Sequence, residues 1–224
     1  MISRQPISSL LHYIQLMILE SSFWQLIVKQ LIETTWLEWL GTISGFACVY
    51  LAAKQNIWNW PVAIISVLAY SILFYEYKLY GDAVLQLYFL ATSVYGWYYW
   101  LKRKEEHAKP IVSLKKNEII KVILSVVALT IIMGGILDRF TDSSIPYADG
   151  FCTSMSFIAQ FLMTRKVLQN WILWIIVDIA YVPLYLYKDL ALTTVLYIFF
   201  LVLATIGYLD WRRTYNLSLK VKVL

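Results

Sequence analysis

Apolar positions in this chain fall in long runs, separated by short polar breaks, rather than in narrow stripes. The runs cover about 36–53, 59–76, 82–101, 119–137, 148–164, 170–187 and 190–209. A helix of roughly 20 apolar residues crosses the hydrocarbon core of a bilayer, about 30 Å thick. The runs therefore predict seven membrane-crossing helices. No strand-period alternation marks a barrel. Pro61 sits in the first turn of its run, where proline costs little. The run 119–137 is aliphatic, without an aromatic residue, and reads as a linker helix. Residues 7–32 are helical in pattern but interrupted by His12, Gln15, Glu20, Gln25 and Lys29. That segment is expected to lie in the interface as an amphipathic helix rather than to cross.

Composition agrees with this reading. Of 224 residues, 60% are hydrophobic and 15% charged, where a soluble domain carries about a quarter charged residues. The net charge of +5 is then a topology signal before it is a nucleic-acid signal. Thirteen basic residues lie on one side of the expected membrane: Lys54, the six of 102–118, Arg165, Lys166 and the four of the tail. Three lie on the other: Lys78, Arg139 and Lys188. The positive-inside rule places the 102–118 loop and the C-terminus in the cytoplasm. Cys48 and Cys152 fall inside apolar runs and read as core residues, not as a disulfide or a metal site. The first 15 residues have no basic region followed by an apolar run, so no cleavable signal is expected.

The chain also resembles itself, without a gap, at an offset of 111 residues. Asn59 and Trp60 match Asn170 and Trp171; Ala69 and Tyr70 match Ala180 and Tyr181; Gly96 and Trp100 match Gly207 and Trp211. Two three-helix units joined by one helix share one orientation, the parallel-repeat plan of some transporters, with a site between repeats. The expected organisation is an N-terminal segment 1–35, a first repeat 36–101, a loop and linker helix 102–147, a second repeat 148–211 and a basic tail 212–224.

The candidate site lies where polar residues break the repeat. Trp171, Trp174, Asp178, Tyr181 and Tyr185 are spaced to share one helix face. A carboxylate in the bilayer core is costly unless it faces protein or a wet cavity. One acid among aromatic rings marks a pocket for a small, flat, polar or cationic molecule. The first repeat has Val67 where Asp178 stands and Ala63 where Trp174 stands. Asp149, Thr153, Ser156 and Gln160 make a polar stripe on the run 148–164, and Gln86 stands opposite Tyr197 across the repeat. The site is expected to draw on the second, third, fifth and sixth runs. Asn59, Trp60 and Tyr88 complete the candidates. The alternative for each polar residue is a helix–helix hydrogen bond, and for Asp178 a buried basic partner. Pro183 removes a bond to the carbonyl of Ile179 and is expected to kink its helix, as a hinge or as a static bend.

No phosphate-binding loop, HExxH or CxxC motif is present, and no nucleophile–base pair lies in the runs. An enzyme, a cofactor, a metal site and a nucleic-acid partner are not expected. A sensor would call for an attached signalling module, of which the chain carries no trace.

The segments LQLYFLATSVYGWYYW (85–100) and LMTRKVLQNWILWIIVDIAYVPLYLYKDLALTTVLYIFFLVLATIGYLDW (162–211) resemble the PnuC family of bacterial vitamin-precursor transporters. The resemblance covers about 36–211. It implies a 3+1+3 helix arrangement related to the SWEET sugar transporters, and a homotrimer in the bacterial inner membrane. It implies uptake of nicotinamide riboside by facilitated diffusion, without ATP hydrolysis or a required ion gradient. A cytoplasmic kinase would trap the product. Thiamine is the alternative substrate, and riboflavin a more distant one. By family pattern Trp174 and Asp178 belong to the sixth-helix part of the pocket, and Gln86 to the third. The chain departs at Asp178, where nicotinamide riboside carriers often have Asn, and at Ile206, where some have Asn.

Overall fold

The computed structural model describes residues 22–76, 80–105, 111–187 and 190–223, without the side chains of 74, 80–84, 103–105 and 221–223. Their secondary structure is helical: α1 (22–33), α2 (Trp36–Ala53), α3 (Asn59–Glu76), α4 (Tyr80–Glu105), α5 (Lys116–Phe140), α6 (Pro146–Thr164), α7 (Asn170–Tyr187) and α8 (Ala191–Val223). Four of these are long and apolar enough to cross a membrane: α2, α5, α7 and most of α8. The expected interfacial segment lies outside the described residues over 7–21, as do His12, Lys78, His107, Lys109 and Lys188.

The helix boundaries follow local chemistry. Thr35 caps α2 in a reciprocal box: the Glu38 amide donates to Thr35 Oγ1 (3.2 Å), and the Thr35 amide to Glu38 Oε2 (2.6 Å). Pro146 opens α6 at a position where its missing N–H is harmless. Two helices run past their apolar segments. α4 reaches Glu105, and α8 continues through the basic tail that the sequence reading separated as 212–224. Hydropathy reports the extent of lipid and not the extent of hydrogen-bonded backbone, so a polar helical extension escapes it.

Residues 111 apart make matching local structure. α2 and α6 both end through a left-handed residue, Gln55 (φ 53°) and Lys166 (φ 56°). The Gln55 amide donates to Ala52 O and the Asn56 amide to Leu51 O; the Lys166 and Val167 amides donate to Met163 O and Leu162 O. This closes orphan carbonyls at a helix C-terminus. Asn59 Nδ2 then donates to Asn56 O (2.7 Å), and Asn170 Nδ2 to Val167 O (2.6 Å), starting α3 and α7.

Helices α2, α3 and α4 pack in succession, as do α6, α7 and α8, while α5 packs on α6. The two groups meet where α2 touches α8 and α4 touches α6. Phe46 stacks on Phe200 at 4.6 Å in the first contact, and Phe157 lies 6.1 Å from Phe89 in the second. The deepest core lies at the end bearing the turns after α2 and α6, around Trp60, Trp100, Trp171 and Trp211. Ile111 joins that core, and the Val112–Val167 bridge docks the segment before α5 onto the second turn. The exposed aliphatic face of α5, including Ile123, Leu124, Val127 and Ile131, suits lipid.

Candidate functional site

A cavity of about 260 Å³ lies between the two groups of helices. It is close to the lower end of ligand-site volumes, roughly 300–1,000 Å³. α2, α3, α4, α6, α7 and α8 all line it, so the sequence expectation that omitted α2 and α8 is too narrow. Gly45, Cys48, Val49 and Ala52 come from α2; Tyr197, Phe200 and Ala204 come from α8. Those helices were passed over because their lining residues are mostly apolar and do not stand out in an apolar run.

The lining is paired at the 111-residue offset, and polarity separates the members of each pair. Asp178 stands across from Val67, Gln160 from Val49, Trp174 from Ala63, Gln86 from Tyr197 and Ser93 from Ala204. Trp60 and Trp171 are a like pair and form the floor. Each floor indole crosses a glycine of the next helix. A Cβ at Gly96 would meet Trp60 at 2.4 Å, and one at Gly207 would meet Trp171 at 2.7 Å. Only glycine leaves room for either ring.

Polar groups converge on this space. Asp178 is 4% exposed. Among the described residues no lysine, arginine or histidine forms an ion pair with it. The Trp60 and Trp171 indole N–H groups and the Ser93 hydroxyl are buried without a protein hydrogen-bond partner. Buried polar groups are nearly always paired, so the cavity offers donors and a carboxylate to a polar occupant or to water.

The structure brings together seven of the ten candidates along this cavity: Asn59, Trp60, Gln86, Gln160, Trp171, Trp174 and Asp178. It places three elsewhere. Tyr88 sits at the α4–α6 contact, its hydroxyl donating to Phe157 O at 2.8 Å. Ser156 donates to Cys152 O at 2.8 Å and is bonded to Tyr181. Tyr181 belongs to a ring cluster with Tyr185 and Tyr197, centroids 4.7–5.1 Å apart. The face shared by Trp171, Trp174 and Asp178 does run on through Tyr181 and Tyr185, but the cavity ends below them. Asp149, at the far end of the polar stripe on α6, accepts from Ser143 Oγ at 2.6 Å. Tyr197, Cys48, Ser66 and Ser93 were missed; the offset from Gln86 pointed to Tyr197.

Below the floor, Trp100 Nε1 donates to Thr164 O (3.2 Å), and Trp211 Nε1 to Ala52 O and Ala53 O (both 3.1 Å). Outside these bonds Lys54 Nζ meets Asp210 Oδ2 at 2.7 Å. That hydrogen bond, and then the carboxylate charge, hold the lysine pKa above its usual range.

A multi-pass helical bundle with an aromatic-walled, mainly apolar cavity between two helix groups, bearing a few polar groups, defines a membrane transporter. The family model described as nicotinamide mononucleotide transporter matches residues 35–213. The nicotinamide riboside transporter PnuC of Escherichia coli (strain K12) is 26% identical over 205 residues, covering 80% of this chain and 86% of that one. The riboflavin/roseoflavin transporter RibM of Streptomyces davaonensis is 26% identical over 180 residues, covering 79% and 84%. A crystal structure of the vitamin B3 transporter PnuC superposes with a TM-score of 0.68 at 24% identity, covering 87% of this chain and 90% of that one. The chain belongs to the nicotinamide mononucleotide transporter family, that of the PnuC proteins, and is a transporter rather than an enzyme.

Proposed function

We propose that this chain carries nicotinamide riboside across a bacterial inner membrane by facilitated diffusion and alternating access. The observation that carries the reading is the cavity wall formed by Trp174 and Asp178, with Gln86 and Gln160 lining the same space. An indole face attracts a flat cation, an unpaired carboxylate adds a charge-assisted bond, and carboxamides suit an amide or hydroxyls. Relatives named as nicotinamide riboside transporters support the substrate. Asp178 favours thiamine as the second reading, because an aminopyrimidine and a thiazolium offer that carboxylate both donors and charge.

In this reading, 36–101 and 148–211 are parallel repeats joined through 102–147, with 1–35 and 212–224 as appendages. The matched turns and the reciprocal tryptophan bonds support it. The C-terminus is cytoplasmic, a cytoplasmic kinase traps the product, and the protein assembles as a homotrimer. A cysteine placed at Leu219 escapes an impermeant thiol reagent in intact cells if the orientation is right; strong labelling reverses it. Titration of the purified protein with nicotinamide riboside, thiamine and riboflavin tests the substrate. Nicotinamide riboside is expected to bind tightest, and binding of none of the three would reject the proposal.

A further inference from the structure

We propose that the tryptophan floor is the gate of this cavity, and that it opens along the seam held by Lys54 and Asp210. The inference rests on the cavity being the transport route. Trp60 and Trp171 line the cavity, and Trp100 and Trp211 stand behind them. All four are at most 4% exposed. Trp60 meets Trp100 edge-on at 5.3 Å, Trp171 meets Trp211 at 5.6 Å, and Trp100 lies 6.2 Å from Trp211. Any solute leaving toward the turns after α2 and α6 has to part these rings.

Two seams hold the rings together, one on each side. Trp100 of α4 bonds the last carbonyl of α6, and Trp211 of α8 bonds the last carbonyls of α2. The two bonds are alike, but what covers them is not. At the α4–α6 seam the Arg165 guanidinium lies over Tyr95, Tyr99 and Phe161, at 5.3, 4.9 and 5.6 Å, and Lys166 lies over Trp100 at 4.4 Å. At the α2–α8 seam the equivalent positions hold Lys54 and Asp210, an ion pair whose side chains are 48% and 43% exposed. Water and salt compete readily with a half-exposed ion pair. They compete far less with a cation seated among three rings. The α4–α6 seam is therefore the hinge side, and the α2–α8 seam the side that parts.

Cys48 provides a native reporter, because it lines the cavity while Cys152 is buried elsewhere. The experiment uses the full chain with Cys152→Ala, in vesicles presenting the α8 tail outward. An impermeant maleimide is added without substrate. Asp210→Asn and Lys54→Gln are expected to speed Cys48 labelling about two- to five-fold, the effect of losing a surface pair. The swap Lys54→Asp with Asp210→Lys should restore the slow rate. High salt should speed the parent protein and leave Asp210→Asn unchanged. The proposal is overturned by unchanged labelling in Asp210→Asn, by a swap that stays fast, or by equal acceleration in Arg165→Gln. No substrate enters this readout, so a failure to bind any vitamin would be seen separately from a failure of the gate.

Discussion

Trp171 and Trp174 lie three residues apart on α7 and do different work. Trp171 is a buried floor ring packed over Gly207 and against Trp211, whereas Trp174 is a half-buried wall ring. Gly96→Ala and Gly207→Ala would each drive a methyl group into an indole. Both are expected to cost about 1–3 kcal/mol, the usual penalty of overpacking, seen as a lower thermal midpoint in detergent. A midpoint unchanged in both would mean the floor yields freely. Much of the site was legible at this scale, because Asp178, Gln86 and Gln160 are polar residues in apolar runs. What spacing could not supply was depth. A helical period fixes direction around an axis and says nothing of where a cavity stops, so Tyr181 and Ser156 were grouped with lining residues although they do not line the cavity themselves. Tyr88 lies off the cavity for a different reason: its hydroxyl donates to the Phe157 carbonyl. Cys48 and Ser66 lacked a signal, since small residues in a membrane helix usually mark packing.

At the scale of elements, α8 departs furthest from its sequence reading. Its 33 residues extend about 50 Å at 1.5 Å per residue, well beyond the hydrocarbon core. Just before that extension, Trp211 reaches the carbonyls that end α2 and fastens the last helix to the first turn. Trp211→Phe keeps a ring and removes the donor. It is expected to lose about 0.5–1.5 kcal/mol of stability from the hydrogen bond, on top of the cost of the space left where the larger, fully buried indole stood. Calorimetric or fluorescence-detected melting reads it directly, and no loss would demote the bond to an incidental contact. α2, α3, α6 and α7 keep close to their expected spans, whereas α4 and α5 run a few residues past theirs. The stops themselves, the Thr35 cap, Pro146 and the Asn59 and Asn170 turns, came from the structure.

Across the whole molecule the recurring fact is near-symmetry in the frame and asymmetry in the cavity. The turns, floor indoles and cross-bonds match at an offset of 111, while Asp178, Trp174, Gln160, Gln86 and Ser93 have unlike partners. A frame of that kind suits the proposed alternating access, in which two similar halves rock around an unlike lining that fixes one orientation of the ligand. With no nucleotide-binding loop in the sequence, uptake into proteoliposomes is expected to stop at equal concentrations inside and out. Accumulation driven by a proton or sodium gradient, without a kinase, would contradict that and point to Asp178 as the coupling group. The most direct test of the cavity as the substrate site is isothermal titration of nicotinamide riboside into the parent protein, Trp174→Ala and Asp178→Ala. Cation–π attraction at Trp174 is worth about 0.5–2 kcal/mol, and a charge-assisted bond at Asp178 roughly 1.5–3 kcal/mol. Trp174→Ala is therefore predicted to weaken binding about two- to thirty-fold and Asp178→Ala about tenfold or more, with melting behaviour retained; full affinity in both folded variants would place the substrate outside this cavity.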